Sequence, residues 1–332
     1  MTNFRINSDG KLMETSKSEK HSWVDVRDPA KDELALLESG YGILAEHIQD
    51  ILDIDEQARI EKEDEYTLLI VRLPVHDPEA ELAYFTVPCG ILLFPDRIIT
   101  LCQRNCEVLD ELRTGKARSL DIKNKSAFVL HLMGRAAIVY LRYLKDINRS
   151  TAIIEKELQV SIKNHELTQL LSIEKSLVFF TTSLKSNEIL LEKLQASKSM
   201  RFKDDETELL EDVVTDNRQA IEMANIYSDI LAGMMDAFAS VISNNLNIVM
   251  KRLTFISIVL MIPTLVVSTF GMNVTVPLEG KPSAFWIILG VCAGAALIGG
   301  FLLRDRPAKP KRRRRKTAAL TAPTATGIVA RR

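Results

Sequence analysis

Two long uncharged segments near the C-terminal end dominate the hydrophobic pattern of this chain. They run from Leu253 to Leu278 and from Ser283 to Leu303, and only Glu279 to Pro282 separates them. An α-helix needs about 20 apolar residues to cross the roughly 30 Å hydrocarbon core of a bilayer. Because both segments are long enough and carry no charge, the pattern predicts a hairpin of two transmembrane helices rather than a buried soluble hairpin.

Basic residues flank this hairpin unevenly. Lys251 and Arg252 precede it and the run Lys311 to Lys316 follows it, whereas the turn contains Lys281 alone. The positive-inside rule therefore predicts that both ends of the chain are cytoplasmic and that the turn is external. Beside a membrane span, we expect the basic tail to contact anionic lipid headgroups rather than nucleic acid. The polar stretch from Met1 to Lys20 has no apolar core and is not a secretory signal.

The region before the hairpin has the pattern of a cytosolic domain followed by long helices. Between Trp23 and Cys102, β-branched runs predict strands that end at prolines such as Pro74 and Pro88. These runs are Tyr66 to Leu73, Leu82 to Val87, Gly90 to Phe94 and Arg97 to Leu101. After about Leu120, the pattern predicts helices at 125–163 and 165–196, and a third from about 205 to 270, on the order of 100 Å long.

Enzymatic chemistry has little support in the sequence. There is no Gly-rich phosphate loop, no nucleophile elbow and no HExxH motif, and we predict neither an enzyme nor a covalently bound cofactor. The four cysteines form no CxxC pair, so reduced thiols are expected rather than a disulfide framework or a thiolate metal site.

A line of polar and small residues follows the last long helix at alternating steps of four and three. Such a 3.5-residue repeat keeps one face toward a common axis. We interpret the line as a face turned toward water or ions, and the alternative is that small residues allow close helix packing in lipid. A chain with two spans cannot enclose a channel, so a pore needs several copies. The line consists of Asp229, Gly233, Asp236, Ser240, Ser243, Asn247, Met250, Thr254, Ser257, Met261, Thr264, Ser268 and Gly271.

The positions along this line offer three kinds of chemistry. Rings of carboxylates at Asp236 and Asp229 would concentrate cations near the cytoplasmic end. Rings of Met250 and Met261, with Leu253 beside the line, could narrow the path and close it by dewetting. Neutral oxygens suit a hard ion that keeps its water, as Mg²⁺ does, and the helix end supplies them at Thr264, Ser268 and Asn273.

The tetrapeptide Phe270-Gly271-Met272-Asn273 ends the first apolar segment. With the upstream segment Asn247 to Leu253, and with Met261 and Thr264 at matching spacing, it resembles the CorA family of divalent-cation (magnesium/cobalt) transporters over about Trp23 to Arg306. The resemblance implies an α+β cytosolic domain (an α/β/α sandwich), a long stalk helix and two C-terminal transmembrane helices in a funnel-shaped homopentamer of the plasma (inner) membrane. It also implies a selectivity filter formed by Gly271, Met272 and Asn273 and a pore lined by Asn247, Met250, Leu253, Met261 and Thr264, to which the periodic line adds Asp236, Thr254, Ser257 and Ser268.

The resemblance further implies regulation by the transported ion. Family members carry acidic sites between cytosolic subunits, where bound Mg²⁺ holds the channel closed. Local similarity selects Asp77 and Asp212, with Asp216 nearby, although each could be a solvated surface acid. The loop from Val274 to Lys281 departs from the usual aromatic and acidic pattern, which leaves the preference among Mg²⁺, Co²⁺, Ni²⁺ and Zn²⁺ open. A zinc transporter of the same superfamily and a non-conducting membrane-tethered sensor are the alternatives.

Together, the pattern and the resemblance divide the chain into seven segments. These are a disordered N-terminus (1–20), a cytosolic α/β domain (21–120), a cytosolic helical hairpin (121–204), a stalk and pore-lining helix (205–271), an external loop (272–283), a second transmembrane helix (284–303) and a basic cytoplasmic tail (304–332).

Overall fold

The chain separates into two compact units, Met1–Ile242 and Ser243–Arg332. The structure, a computed structural model, describes residues 2–6, 12–15, 21–114, 122–160, 164–196, 202–272 and 281–302. Residues 273–280 of the predicted external loop and the whole predicted basic tail (304–332) lie outside these described residues.

A seven-stranded mixed sheet forms the centre of the first unit, in the order β2-β1-β3-β7-β6-β5-β4. Strands β3 and β7 pair in parallel, and the other neighbouring strands pair antiparallel. The strands are β1 (Thr2–Ile6), β2 (Leu12–Thr15), β3 (Ser22–Arg27), β4 (Arg59–Lys62), β5 (Thr67–His76), β6 (Tyr84–Leu93) and β7 (Arg97–Cys102).

Strands β1 and β2 lie in the stretch that the sequence led us to expect as disordered. That expectation is wrong for these residues, because Thr2, Asn3 and Phe4 pair with Asp25, Val24 and Trp23 of β3. Strand β3 pairs with β7 on one side and needs a partner for the backbone groups on its other edge. Strand β1 supplies that partner through its backbone groups. The polar side chains of this stretch give no sign of the pairing.

Helices cover both faces of the sheet. They are α1 (Lys31–Tyr41), α2 (Ala45–Leu52), α3 (Glu107–Arg113), α4 (Lys125–Val160), α5 (Asn164–Ala196), α6 (Asp204–Phe270) and α7 (Ala284–Leu302). On one face, Leu37 of α1 and Ile51 of α2 pack with Leu68 of β5 in one hydrophobic cluster. On the other, α3, α4 and α5 share a larger cluster with alternate residues of the same strands. This arrangement confirms the predicted α/β/α sandwich.

Two prolines lie inside strands, where the sequence analysis placed strand ends. Strand β6 runs through Pro88, opposite Arg72, and β5 contains Pro74, opposite Thr86. Proline has no N–H to donate to a sheet ladder. The backbone groups of Arg72 point away from Pro88 and bind Asn187 and Tyr140, so the missing N–H of Pro88 leaves no hydrogen bond to β5 unmade. The nitrogen of Pro74, two residues further along β5, points to the same edge, beyond the last residue of β5 that pairs with β4. The prolines therefore interrupt neither strand.

The long helix predicted before the hairpin is present as α6, with 67 residues and a length of about 100 Å. Its N-terminal half packs in the first unit, where Leu210, Val213 and Ala220 are buried in the larger cluster. The Asn217 side chain donates to the carbonyl of Leu184 on α5 at 3.0 Å. This packing fixes which face of α6 remains exposed in the first unit.

Candidate functional site

In the second unit, α7 packs against one side of α6. The sulfur of Cys292 lies 3.8 Å from the Pro263 carbonyl oxygen. A Cβ built on Gly299 would lie only 2.8 Å from Ile262 Cδ1, so the glycine allows a close approach of the two helices. The half-buried residues that form this side of α6 are Phe255, Val259, Ile262, Val266 and Phe270.

The line of polar and small residues lies on the other side of α6. At 3.6 residues per turn, its centre is about 160° around the helix from the α7-facing side. We call these residues the stripe, and in the second unit the following members are exposed: Ser243, Asn247, Met250, Thr254, Ser257, Met261, Thr264, Ser268 and Gly271. In a single chain, α7 therefore leaves the stripe uncovered.

The hydroxyl groups of the stripe have a common geometry. Thr254 Oγ1 donates to Met250 O at 2.9 Å, Ser257 Oγ to Leu253 O at 2.9 Å, and Thr264 Oγ1 to Leu260 O at 2.8 Å. Each hydroxyl hydrogen is thus held by the carbonyl one turn earlier. The oxygen lone pairs remain available on the exposed face of the helix.

Large apolar side chains on and beside the stripe are also exposed. The exposed fraction is 59% for Met250, 57% for Leu253 and 65% for Met261. Helix α6 contains an 18-residue window of mean hydropathy 2.2 in which no residue is fully buried. Helix α4 also passes this test, but 61% of its window is buried in the core of the first unit. An apolar window left uncovered requires a cover of lipid or of further protein.

The structure describes part of the predicted filter. The Gly271 N–H contacts the carbonyls of Val267 and Ser268, at 3.0 and 3.2 Å, as α6 ends. Met272 is exposed, and Asn273 lies outside the described residues. Asp236 belongs to the first unit, where it is exposed on α6.

The three candidate regulatory acids lie at two places in the first unit. Asp77 is in the turn after β5, where its Oδ1 accepts the Glu79 N–H at 3.1 Å. Asp212 and Asp216 lie one turn apart on α6, and partial burial, followed by the negative charge of Asp212, raises the pKa of Asp216. Within the described part of a single chain, these three aspartates do not form a three-ligand group.

Sequence reasoning missed another group of acidic and histidine side chains. His47, Glu61 and Glu63 bring their potential ligand atoms within 4.8 Å of one another. His47 lies on α2, Glu61 on β4, and Glu63 just beyond that strand. The available signal was the two-residue spacing of the glutamates, which puts both on one face of an extended segment.

The match to a family model decides the classification of the chain. Residues 18–312 match the model described as CorA-like Mg²⁺ transporter protein. The chain belongs to the CorA-like family. This is a family of membrane transporters rather than of enzymes, and the resemblance identified from the sequence is confirmed.

Individual CorA proteins are similar over most of the chain. The cobalt/magnesium transport protein CorA of Methanocaldococcus jannaschii is 24% identical over 315 residues, which cover 92% of this chain and 98% of that protein. The Thermotoga maritima protein of the same name is 21% identical over 267 residues, covering 78% and 74% of the two chains. The complete structure of the M. jannaschii CorA magnesium transporter matches with a TM-score of 0.76 at 23% identity, covering 91% and 96% of the two chains. This last similarity supports a shared fold.

Proposed function

We propose that this CorA-like protein is a homopentameric, channel-like transporter that admits Mg²⁺ into the cytoplasm across the plasma membrane. Co²⁺ and Ni²⁺ are further candidate ions. The observation that carries the proposal is the stripe on the side of α6 opposite α7. The names of the two CorA relatives, which are cobalt/magnesium transport proteins, support the class of ion.

Assembly follows from the uncovered faces of the hairpin. A single α6–α7 hairpin exposes both its apolar surface and its stripe. In a ring of copies, α6 turns its stripe toward the central axis and α7 lies outside, in contact with lipid. The polar stripe then faces the water of the path, and the apolar surface faces lipid or a neighbouring helix. Five copies then place five oxygens at the level of each hydroxyl.

A hydrated cation fits the chemistry of such a path. The outward lone pairs of Thr254, Ser257 and Thr264 accept hydrogen bonds from the water around the ion. Mg²⁺ gives up its water reluctantly, so ligands that bind the hydrated ion are suited to it. Asn273, with Gly271 and Met272, would select the ion at the outer end. Met250, Leu253 and Met261 would close the path by excluding water.

The membrane potential supplies the driving force for influx. Moving two positive charges inward gains about 4.6 kcal/mol per 100 mV of inside-negative potential. The uneven distribution of Lys and Arg supports cytoplasmic N- and C-termini. The basic tail would contact anionic lipids, and nucleic acid is not an expected partner.

Bound Mg²⁺ is also the proposed regulatory ligand. Asp77 of one subunit and Asp212 and Asp216 of its neighbour would share Mg²⁺ and hold the pore closed. The raised pKa of Asp216 supports this, because that carboxylate lies beside a like charge that a cation would neutralise. Loss of internal Mg²⁺ would let the acidic faces repel each other and open the pore.

Flux into liposomes tests the transport proposal. Purified protein is reconstituted around dyes selective for Mg²⁺, Zn²⁺ and protons, and wild type is compared with Asn273→Ala. The matched control is Asn245→Ala, an exposed α6 asparagine on the side away from the stripe. We expect potential-driven Mg²⁺ influx that Asn273→Ala abolishes and Asn245→Ala preserves. Zn²⁺ influx with a proton signal would identify a zinc transporter, and no flux from assembled protein without internal Mg²⁺ would identify a tethered sensor.

Internal Mg²⁺ tests the regulatory proposal in the same liposomes. Wild-type flux should fall as internal Mg²⁺ rises. An Asp77→Ala/Asp212→Ala double variant should remain open under the same conditions, whereas Glu222→Ala, at an exposed position on the same helix, should close normally. Unchanged closure in the double variant would show that these residues do not regulate the pore. The transport proposal would be unaffected by that result.

A further inference from the structure

His47 lies against two carboxylates at the edge of the sheet. Only 5% of this residue is exposed. Its Nε2 atom is 3.1 Å from Glu61 Oε2 and 3.9 Å from Glu63 Oε1. The three side chains come from α2 and from the end of the edge strand β4, on the face of the sheet that α1 and α2 cover. None of them belongs to α6 or α7.

The second ring nitrogen of His47 is held by a fixed hydroxyl. Nδ1 lies 2.8 Å from the Tyr66 hydroxyl oxygen, which also accepts the Leu44 N–H at 3.1 Å. A histidine that binds a metal through one nitrogen is usually oriented by a hydrogen bond at the other.

Glu61 is oriented in a similar way. Arg59 donates from Nε to Glu61 Oε1 at 2.8 Å, and the same guanidinium contacts Asp50 at 2.6 Å and also pairs with Glu56. One oxygen of Glu61 is therefore occupied by Arg59. The other oxygen, Oε2, faces His47.

From this arrangement we infer that His47 Nε2, Glu61 Oε2 and Glu63 Oε1 bind one borderline transition-metal ion, such as Zn²⁺, Co²⁺ or Ni²⁺. Tetrahedral ligands with bonds of about 2.1 Å lie about 3.4 Å apart, between the two distances measured from Nε2. An imidazole ligand favours these ions over Mg²⁺, which prefers oxygen ligands alone. Water would complete the coordination.

Such a site is distinct from the conduction path in position and in chemistry. The bound ion would join α2 to the end of β4 and would neutralise two carboxylates beside a buried ring. A protein proposed to conduct Mg²⁺ through oxygen-lined rings would thus carry, in its cytosolic sandwich, a site for a different class of cation. This inference concerns binding alone and stands whether or not the pore conducts.

Cobalt absorption tests the site in the full-length protein. Metal-stripped protein in detergent, with Mg²⁺ in large excess to occupy the oxygen-only sites, is titrated with Co²⁺. We expect visible absorption bands that saturate at one Co²⁺ per chain. His47→Gln and Glu61→Gln should abolish the bands, and His165→Gln, at an exposed position on α5, should leave them unchanged. Tyr66→Phe should weaken Co²⁺ binding about 10- to 100-fold.

The alternative is a histidine–glutamate hydrogen bond with no metal. It predicts that wild type and His47→Gln bind the same amount of Co²⁺ with the same spectrum, and that result would overturn the inference. If His47→Gln does not assemble, Glu63→Gln serves instead, because the Glu63 side chain is much more exposed than that of His47 and is the more distant of the two carboxylates. Unchanged Co²⁺ binding in assembled Glu63→Gln would equally refute the proposed three-ligand site.

Discussion

Asn187 holds both backbone groups of Arg72. Its Oδ1 accepts the Arg72 N–H and its Nδ2 donates to the Arg72 carbonyl, each at 2.9 Å. On the edge of β5 that faces β4, strand pairing ends with Ile70 opposite Arg59, so the backbone groups of Arg72 have no strand partner there. A side chain from α5 therefore replaces a strand partner and ties the helix layer to the sheet.

Loss of this side chain should destabilise the first unit. In Asn187→Ala, the buried Arg72 N–H loses its acceptor, which costs about 1–3 kcal/mol, while Tyr140 still serves the carbonyl. Thermal unfolding monitored by circular dichroism should show a lower midpoint than for wild type. Gln169→Ala removes an exposed amide from the same helix and should change little. Equal midpoints for the two variants would show that the contact contributes no net stability.

The packing of the hairpin predicts a second outcome, at Gly299. Leucine at this position would overlap Ile262, and overpacking of this kind costs about 1–3 kcal/mol. We expect Gly299→Leu to lower the thermal stability of the assembled protein. Gly290 has nothing within 4 Å of an added Cβ, so Gly290→Leu is the matched control. Adding Ile262→Ala to Gly299→Leu should restore part of the loss.

The hydroxyls of α6 allow a matched test of the stripe. Thr264 and Thr269 each donate to the carbonyl one turn earlier at 2.8 Å, but only Thr264 lies on the stripe. If its outward oxygen contacts the hydrated ion, Thr264→Val should reduce Mg²⁺ flux about two- to tenfold, the effect of one hydrogen bond of about 0.5–1.5 kcal/mol. Thr269→Val should conduct like wild type in the same liposomes. Equal flux through both variants would argue that the stripe serves only helix packing.

Asp216 predicts a dependence of stability on pH. Its pKa is raised in the folded protein by burial and by Asp212, so the folded state binds this proton more tightly than the unfolded state. The ionised carboxylate therefore lowers stability above the folded pKa, and this penalty disappears as the pH falls below the ordinary aspartate pKa. In Mg²⁺-free buffer, Asp216→Asn should unfold at a higher temperature than wild type near neutral pH.

The advantage of Asp216→Asn should shrink steadily as the pH is lowered. Asp212→Asn provides the control, because it removes the neighbouring charge and should bring the pKa of Asp216 closer to its ordinary value. A stability difference that does not change with pH would show that Asp216→Asn acts through something other than ionisation.

The helices of this protein could be predicted from sequence because their composition is extreme. Residues 205–270 contain one proline, Pro263, and the uncharged residues after Leu253 have few alternatives to a membrane helix. The strands could be predicted only in part. Pro88 was interpreted as a strand end, because the sequence does not show which pairs of a ladder are hydrogen-bonded and so where a proline nitrogen is tolerated.

The candidate sites, like the strands, could be predicted from the sequence only in part. The spacing of the stripe was visible in the sequence because a single helix carries it. The side of α6 that contacts α7 was not visible in the sequence, since it depends on a close approach between Ile262 and Gly299. The cluster at His47 was missed because sheet pairing, and not sequence proximity, brings α2 beside Glu61.

The orientation of the stripe hydroxyls has a consequence for anions. A chloride or phosphate ion that leaves water needs hydrogen-bond donors, and the hydrogens of Thr254, Ser257 and Thr264 already point back into the helix. To serve an anion, each hydroxyl would have to rotate and give up its hydrogen bond to a backbone carbonyl, which would keep only its helical N–H donor. If the stripe lines the proposed pore, the helix itself would therefore disfavour anions, even along stretches where the stripe has no acidic residue.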